Sequence, residues 1–346
     1  MKKLNRRFFI KNSVVGAGAM GIPASLSSSP IKNNNAGLNG SDRNVWIASL
    51  TQDGITGSTI KETIQAAIKQ MEYAAPFSPD IYCLPEVFHV AGLRGGRPSI
   101  KEAAEDGTGN IISPFQLFAK KHSCYIICDV YTQHQGKYYN AAILIDRKGK
   151  VAGEYQKARL TVNEMEKGLT PGPLEIPVFQ TDFGFIGIQI CHDIQWDDGW
   201  EQLSKKGAEI VFWPSAFSGG KRINMRAWAN QYCVVSSTRK DTTKICDITG
   251  EEIAVSGNWN TWGVCAPVNL EKAFLHSWPY SRKFPAIQKK YGRKINCYSL
   301  NEEEISVIES LEPGLKVKDI LKEFDLVTYK ESLRIAEEQQ ATLRAI

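Results

Sequence analysis

From Asn44 onward, short apolar runs alternate with stretches in which apolar residues recur every three or four positions. Val45–Leu50 is the first run and predicts a strand. Ile60, Ile64, Ile68 and Met71 follow at helical spacing, with Ser58 placed to cap the helix. Asp80–Leu84 reads as a strand, Ser113–His122 as a helix, and Tyr125–Tyr131 and Tyr139–Ile145 as extended, the last closed by a turn at Arg147-Lys148-Gly149. The middle of the chain repeats the theme. Strands are predicted at Phe183–Ile190, Glu209–Trp213 and Tyr232–Ser237, separated by helices at Gly199–Lys206 and Ile223–Asn230. Thr249-Gly250 forms a hairpin tip between Lys244–Ile248 and Glu252–Val255. Strands alternating with helices predict an α/β layered domain over residues 43–275. Beyond Lys272 the character changes. Ile305, Ile308 and Leu311, then Leu333 to Leu343, recur at helical spacing among charges, which predicts a C-terminal helical extension over 276–346.

Composition narrows the class. Of 346 residues, 42% are hydrophobic and 23% charged, ordinary values for a globular chain. The formal net charge of +5 is matched by Lys2, Lys3, Arg6, Arg7 and Lys11 alone. The rest is near neutral, so charge gives no support to nucleic-acid binding. Eight cysteines have neither zinc-ribbon spacing nor the setting of a small disulfide framework, and several lie inside apolar runs. The basic head KKLNRRFFIK, followed by the weakly apolar SVVGAGAMGIPASL, resembles a twin-arginine export signal, with Asn5 in place of the usual Ser or Thr. Residues 1–30 are therefore expected to direct export to the periplasm without stable membrane insertion, and the Asn/Gly-rich residues 31–42 to act as a linker.

Three stretches place reactive side chains at predicted strand ends, where α/β proteins carry their sites. Leu84-Pro85-Glu86 puts a carboxylate after an apolar strand. Glu154-Tyr155-Gln156-Lys157 puts an amine after a strand and turn. Gly187-Ile188-Gln189-Ile190-Cys191-His192-Asp193 ends an apolar run on a thiol. Each alone has a plain reading: a strand end, a solvated lysine, a core cysteine.

Together, in this order, they resemble the nitrilase superfamily of carbon–nitrogen hydrolases. The resemblance covers about residues 43–270 and extends through TPGPLEIPVFQTDFGFIGIQICHD, KKGAEIVFWPSAF and RAWANQYCVVSS. It implies an α-β-β-α sandwich and a catalytic triad of Glu86, Lys157 and Cys191. It implies a second glutamate at Glu164, with Glu166 as the alternative, and a homodimer or larger assembly. No cofactor or metal is implied, and the expected partner is a small-molecule amide or N-carbamoyl substrate. The same site could instead take a nitrile or transfer its acyl group, and a non-catalytic binding protein on the same fold is the rival class. His192, Trp196, Trp213 and Phe217 are the candidate oxyanion and pocket residues. Asp193 reads as a turn or hydrogen-bonding group rather than an acid, and Arg94 and Arg97 of GLRGGRPS are candidate contacts for an anionic substrate. Three departures bear on the substrate: His192 stands where the family usually has an aromatic residue, Gln195-Trp196-Asp197-Asp198 replaces a basic-aromatic-proline-acid run, and Arg226-Ala227-Trp228-Ala229-Asn230 lacks the glutamate of an arginine–alanine–glutamate–asparagine pattern.

If the leader acts as read, N-terminal sequencing of protein exported by a host with the twin-arginine translocase should find the first residues removed. The double variant R6K/R7K should stay unprocessed inside the cell. An identical N-terminus for precursor and exported protein, with no export defect in the variant, would contradict the reading.

Overall fold

The computed structural model describes residues 43–107, 109–240, 242–257 and 259–345. The expected export signal and linker lie outside the described residues. Fifteen strands are present among the described residues: β1 Asn44–Leu50, β2 Ile81–Cys83, β3 Tyr125–His134, β4 Lys137–Ile145, β5 Val151–Gln156, β6 Val178–Gln180, β7 Phe185–Ile188, β8 Ile210–Ser215, β9 Cys233–Thr238, β10 Lys244–Cys246, β11 Glu252–Val255, β12 Gly263–Asn269, β13 Lys272–His276, β14 Ile295–Leu300 and β15 Ile305–Ser310. They form two six-stranded sheets, ordered β12-β1-β2-β3-β4-β5 and β11-β10-β9-β8-β7-β6, and a three-stranded sheet β13-β15-β14. Each large sheet has a parallel triplet at its centre, β1-β2-β3 in one and β7-β8-β9 in the other, with antiparallel strands outside.

The two large sheets pack face to face, because alternate residues of each central strand are apolar on both sides. Ile47, Cys83, Ile127 and Leu144 of the first sheet share one core with Ile186, Ile188, Val211 and Val235 of the second. Small hydroxyl residues stitch the sheets where they come closest. Ser49 Oγ donates to the Ser236 carbonyl at 2.6 Å, and Ser237 Oγ to the Leu50 and Cys83 carbonyls at 2.8 and 3.1 Å. On the outer face of the first sheet lie helices Ile60–Met71 and Ser113–His122, burying Ile64, Ala67, Phe115 and Phe118 against Ala48, Tyr82 and Ile126. Helices Asp198–Lys205 and Lys221–Asn230 cover the second sheet through Trp200, Leu203, Ile223 and Ala227. The layering is α-β-β-α. Helix Ile60–Met71 is capped by Thr59 rather than Ser58: the Thr59 side chain accepts from the Glu62 N–H.

The C-terminal part corrects the expectation of a helical extension. It contains helices Phe284–Tyr291, Val317–Glu323 and Tyr329–Arg344, but Ile305–Ser310 is the central strand of an antiparallel sheet. The expected boundary after residue 275 also cuts through β13, which pairs with β15. The three-residue spacing of Ile305 and Ile308 imitates a helix because β15 is covered on both sides. Ile305 and Val307 join the main core, while Ile308 faces a separate cluster with Leu275, Ile287 and Ile320. A strand buried on both faces loses the alternation that would identify it. Among the described residues all eight cysteines are free thiols, and no helix is long and apolar enough to cross a membrane.

Ile308 is fully buried in that separate cluster. Ile308→Ala should lower stability by about 2–5 kcal/mol, read as a shift in the urea midpoint. A freely extended tail would show no shift.

Candidate active site

The carboxyl ends of both parallel triplets open on one place. Glu86 follows β2, Cys191 follows β7, Ser215 ends β8, and Arg239 follows β9. Lys157 follows β5, and its backbone is fixed from two sides. Its N–H donates to the Asn140 carbonyl at 2.8 Å, and its carbonyl accepts from Gly172 N–H at 2.8 Å. Gly172 is required there, since a Cβ would collide with the Gln156 carbonyl oxygen.

The Lys157 ammonium is 1% exposed and lies between two carboxylates, at 2.8 Å from Glu86 Oε1 and 2.7 Å from Glu164 Oε1. Asn140 Nδ2 donates to the same two oxygens at 2.9 and 3.2 Å. The other oxygen of Glu86 accepts from Arg239 at 2.9 Å. Glu164 is held by a capping box with Thr161 at the start of helix Val162–Glu166, which aims its carboxylate back at Lys157. Glu166, the alternative, is exposed on that helix and is not part of the ion pair.

Charge pairing decides the protonation states. Burial alone would raise the Glu86 carboxyl, but the charges of Lys157 and Arg239 hold it at about 2. Burial would lower Lys157, and Glu86, Cys191 and Glu164 instead keep its ammonium above its ordinary value. Asp129 is a further buried carboxyl beside this group. Burial, and then the Glu86 charge, push its carboxyl well above the usual range. Its Oδ1 accepts from the Val87 N–H at 2.9 Å and so fixes the residue after Glu86, whose φ is +40°.

Cys191 is 8% exposed and has φ of +43°, a left-handed backbone costly for any residue with a Cβ. It opens a 3-10 helix, Cys191–Gln195. In the first turn of such a helix a backbone N–H has no intrahelical acceptor, so the His192 N–H is available to a ligand. The turn is anchored by Asp193, a buried carboxylate that accepts from Ile190 N–H at 2.8 Å, Tyr155 O–H at 2.7 Å and Arg159 N–H at 2.8 Å. Asp193 thus ties the cysteine turn to the segment carrying Lys157. Burial raises its carboxyl to about 6 despite those donors. Burial and the Glu86 charge push the Cys191 thiol up to about 12, against the pull of Lys157. The resting site therefore holds a thiol, a carboxylate and an ammonium.

The other predicted residues divide. Trp213 is fully buried, and its indole N–H donates to the Cys191 carbonyl at 3.1 Å, so it holds the turn from beneath. Phe217 meets Trp213 edge to face at 5.1 Å. His192 packs edge to face on Trp196 at 5.0 Å, and its buried Nδ1 has no protein partner among the described residues. Trp196 is 38% exposed and is capped by the Arg159 guanidinium at 5.3 Å. Sequence reasoning passed over Arg239, Asn140, Asp129 and the anchoring contacts of Tyr155. Arg239 carried a usable signal, a charged residue directly after the apolar run CVVSST. The others had none, because their partners are 24 to 54 positions away.

Comparison with known proteins agrees with this fold. The carbon-nitrogen hydrolase family pattern matches residues 47–273. A probable hydrolase of Bacillus subtilis, YhcX, is 33% identical over 187 residues, covering 49% of this chain and 36% of that protein; the chain thus spans about a third of its length. A deaminated glutathione amidase of Dictyostelium discoideum is 27% identical over 210 residues, 54% of this chain and 72% of that one. Among solved structures, a carbon-nitrogen hydrolase from Helicobacter pylori shares the fold with a TM-score of 0.58 at 18% identity, covering 71% of this chain and 94% of that one. The family pattern spans well over half of the sequence, and the chain belongs to the carbon–nitrogen hydrolases of the nitrilase superfamily.

Proposed function

We propose that the protein hydrolyses a small amide or N-carbamoyl compound through a thioester on Cys191. The observation that carries the reading is the buried Lys157 ammonium held between Glu86 and Glu164 beside a strained cysteine. An unactivated amide needs a nucleophile, a proton carrier and a cation at its carbonyl oxygen, and these three groups supply them.

In the acylation half, Glu86 takes the Cys191 proton as sulfur bonds to the amide carbon. The thiol is reluctant and Glu86 is a weak base, so proton transfer has to accompany attack rather than precede it. The carbonyl electron pair moves onto oxygen, where Lys157 and the His192 N–H hold it. The C–N bond then breaks and nitrogen takes the proton from Glu86 as the amine or ammonia leaves. In the second half, Glu86 removes a proton from water as it adds to the thioester. The C–S bond breaks, sulfur recovers that proton, and the acid departs. Glu164 keeps Lys157 charged and aimed. Periplasmic export and assembly into dimers or larger oligomers accompany this proposal as expectations from the leader and the family resemblance.

Cys191→Ala should abolish turnover while leaving the thermal midpoint nearly unchanged. Intact-mass measurement with a slow amide should find an acyl adduct on wild type only; adducts on another cysteine, or full activity in the variant, would remove the reading. Lys157→Met should cost several orders of magnitude in kcat, and destabilise by about 3–5 kcal/mol by leaving Glu164 without its cation and Glu86 with Arg239 alone.

The pH dependence separates the two carboxylates. Glu86, held at about 2, is ionised throughout the working range and produces no acidic limb near neutrality. Asp193 is suited to its three donors only when ionised, so kcat/KM should fall as pH drops through about 6. Its raised value also means that stability declines as pH rises from about 4 towards 6. Asp193→Asn should remove the limb and lower the plateau about 10- to 100-fold, read from pH–rate profiles.

A further inference from the structure

At its centre the site is electrically balanced, with Glu86 and Glu164 set against Lys157 and Arg239. Around that centre, donors remain without acceptors. Arg239 Nε is buried and has no partner among the described residues. The Tyr131 hydroxyl and the Arg97 guanidinium have no hydrogen-bond partner there either. Arg94, the other arginine of the same glycine-rich loop, is engaged with Thr56 Oγ1 at 2.8 Å.

The geometry brings the three free donors to one side of the pocket. Tyr131 on β3 lies directly opposite Asn140 on β4, so both side chains leave the same face of the sheet. That is the face from which Asn140 reaches Glu86 and Glu164. The Tyr131 ring packs edge to face on His89 at 5.6 Å and against the small cluster of Val87, Val90 and Ala103, which Leu93 also joins. Leu93 and Ala103 bracket the loop that carries Arg97. Gly95 and Gly96, both left-handed with open space beside them, turn that loop. Burial raises the Tyr131 hydroxyl most, and the charges of Glu86, Arg239, Glu164 and Arg97 are all near enough to act on it.

We propose that Arg97, the Tyr131 hydroxyl and Arg239 Nε–H form a carboxylate subsite, so that the substrate is a small amide bearing a free carboxylate at the far end of its acyl chain. A carboxylate offers enough lone pairs for all three donors and neutralises the one unpaired cation of the group. A neutral amide would leave a buried guanidinium N–H unsatisfied. The inference rests on the hydrolase reading for the reaction, but recognition can be measured without it.

Two measurements separate the two ideas. The first compares turnover of the monoamides of three- to six-carbon dicarboxylic acids with that of their methyl esters. The best acid should exceed its ester about 30-fold in kcat/KM. Arg97→Gln should bring that ratio toward one through KM, Arg97→Lys should keep most of it, and Tyr131→Phe should lose part. The second is calorimetric binding of the same pairs to the Cys191→Ala protein, with thermal midpoints as the folding control. Acid should bind and ester should not, and Arg97→Gln should erase the difference. Absent turnover with this binding preference intact would sink the hydrolase reading and uphold the subsite. Equal binding of acid and ester, or their equal failure to bind, would overturn the subsite, as would an Arg97→Gln protein that keeps the preference.

Discussion

One buried cation organises this protein. The Lys157 ammonium is withdrawn from water and sits between Glu86 and Glu164, with Asn140 bridging the same two oxygens and Arg239 closing the far side of Glu86. Taking such charges out of water costs several kcal/mol each, and only tight mutual pairing offsets it. The pairing demands that β2, β4, β5, β9 and helix Val162–Glu166 arrive at fixed positions. The sheets that deliver them are held to the same tolerance by Ser49 and Ser237 across their interface.

The cysteine turn obeys a second constraint that acts through backbone rather than charge. Cys191 is forced into a left-handed conformation and would relax if the turn were free. Asp193 beneath it and the Trp213 indole on its carbonyl prevent that. Because Asp193 also accepts from Tyr155 and from Arg159 N–H, the strain in the cysteine turn is coupled to the strand that leads to Lys157. Lys157 and Cys191 are therefore positioned by one hydrogen-bonded unit.

That arrangement has a chemical consequence. The strong pairing that makes burial of Glu86 tolerable also makes it a poor base, and burial makes Cys191 a poor acid. The resting site keeps its proton on sulfur. On the proposed reaction, charge develops only when a carbonyl oxygen arrives to share Lys157, which would confine reactivity to the occupied site.

Much of this was legible in the chain. The alternation of apolar runs and helical spacing fixed the α/β layering, since each element buries one stripe or both faces of a strand. Glu86, Lys157 and Cys191 were visible as reactive side chains at strand ends, and their order together, as in the family they resemble, set them apart from a strand end, a solvated lysine and a core cysteine. Between Glu164 and Glu166 the chain could not choose. A capping box with Thr161 turns the first toward Lys157, and helical geometry leaves the second in solvent. The strand character of Ile305–Ser310 was hidden because burial on both faces erases alternation. Arg239, Asp129 and Tyr131 gain their meaning from partners far away in sequence. Local propensity sets which segments become strands and helices, but only the packing of two sheets decides which polar ends meet, because desolvated charges must find one another across the fold.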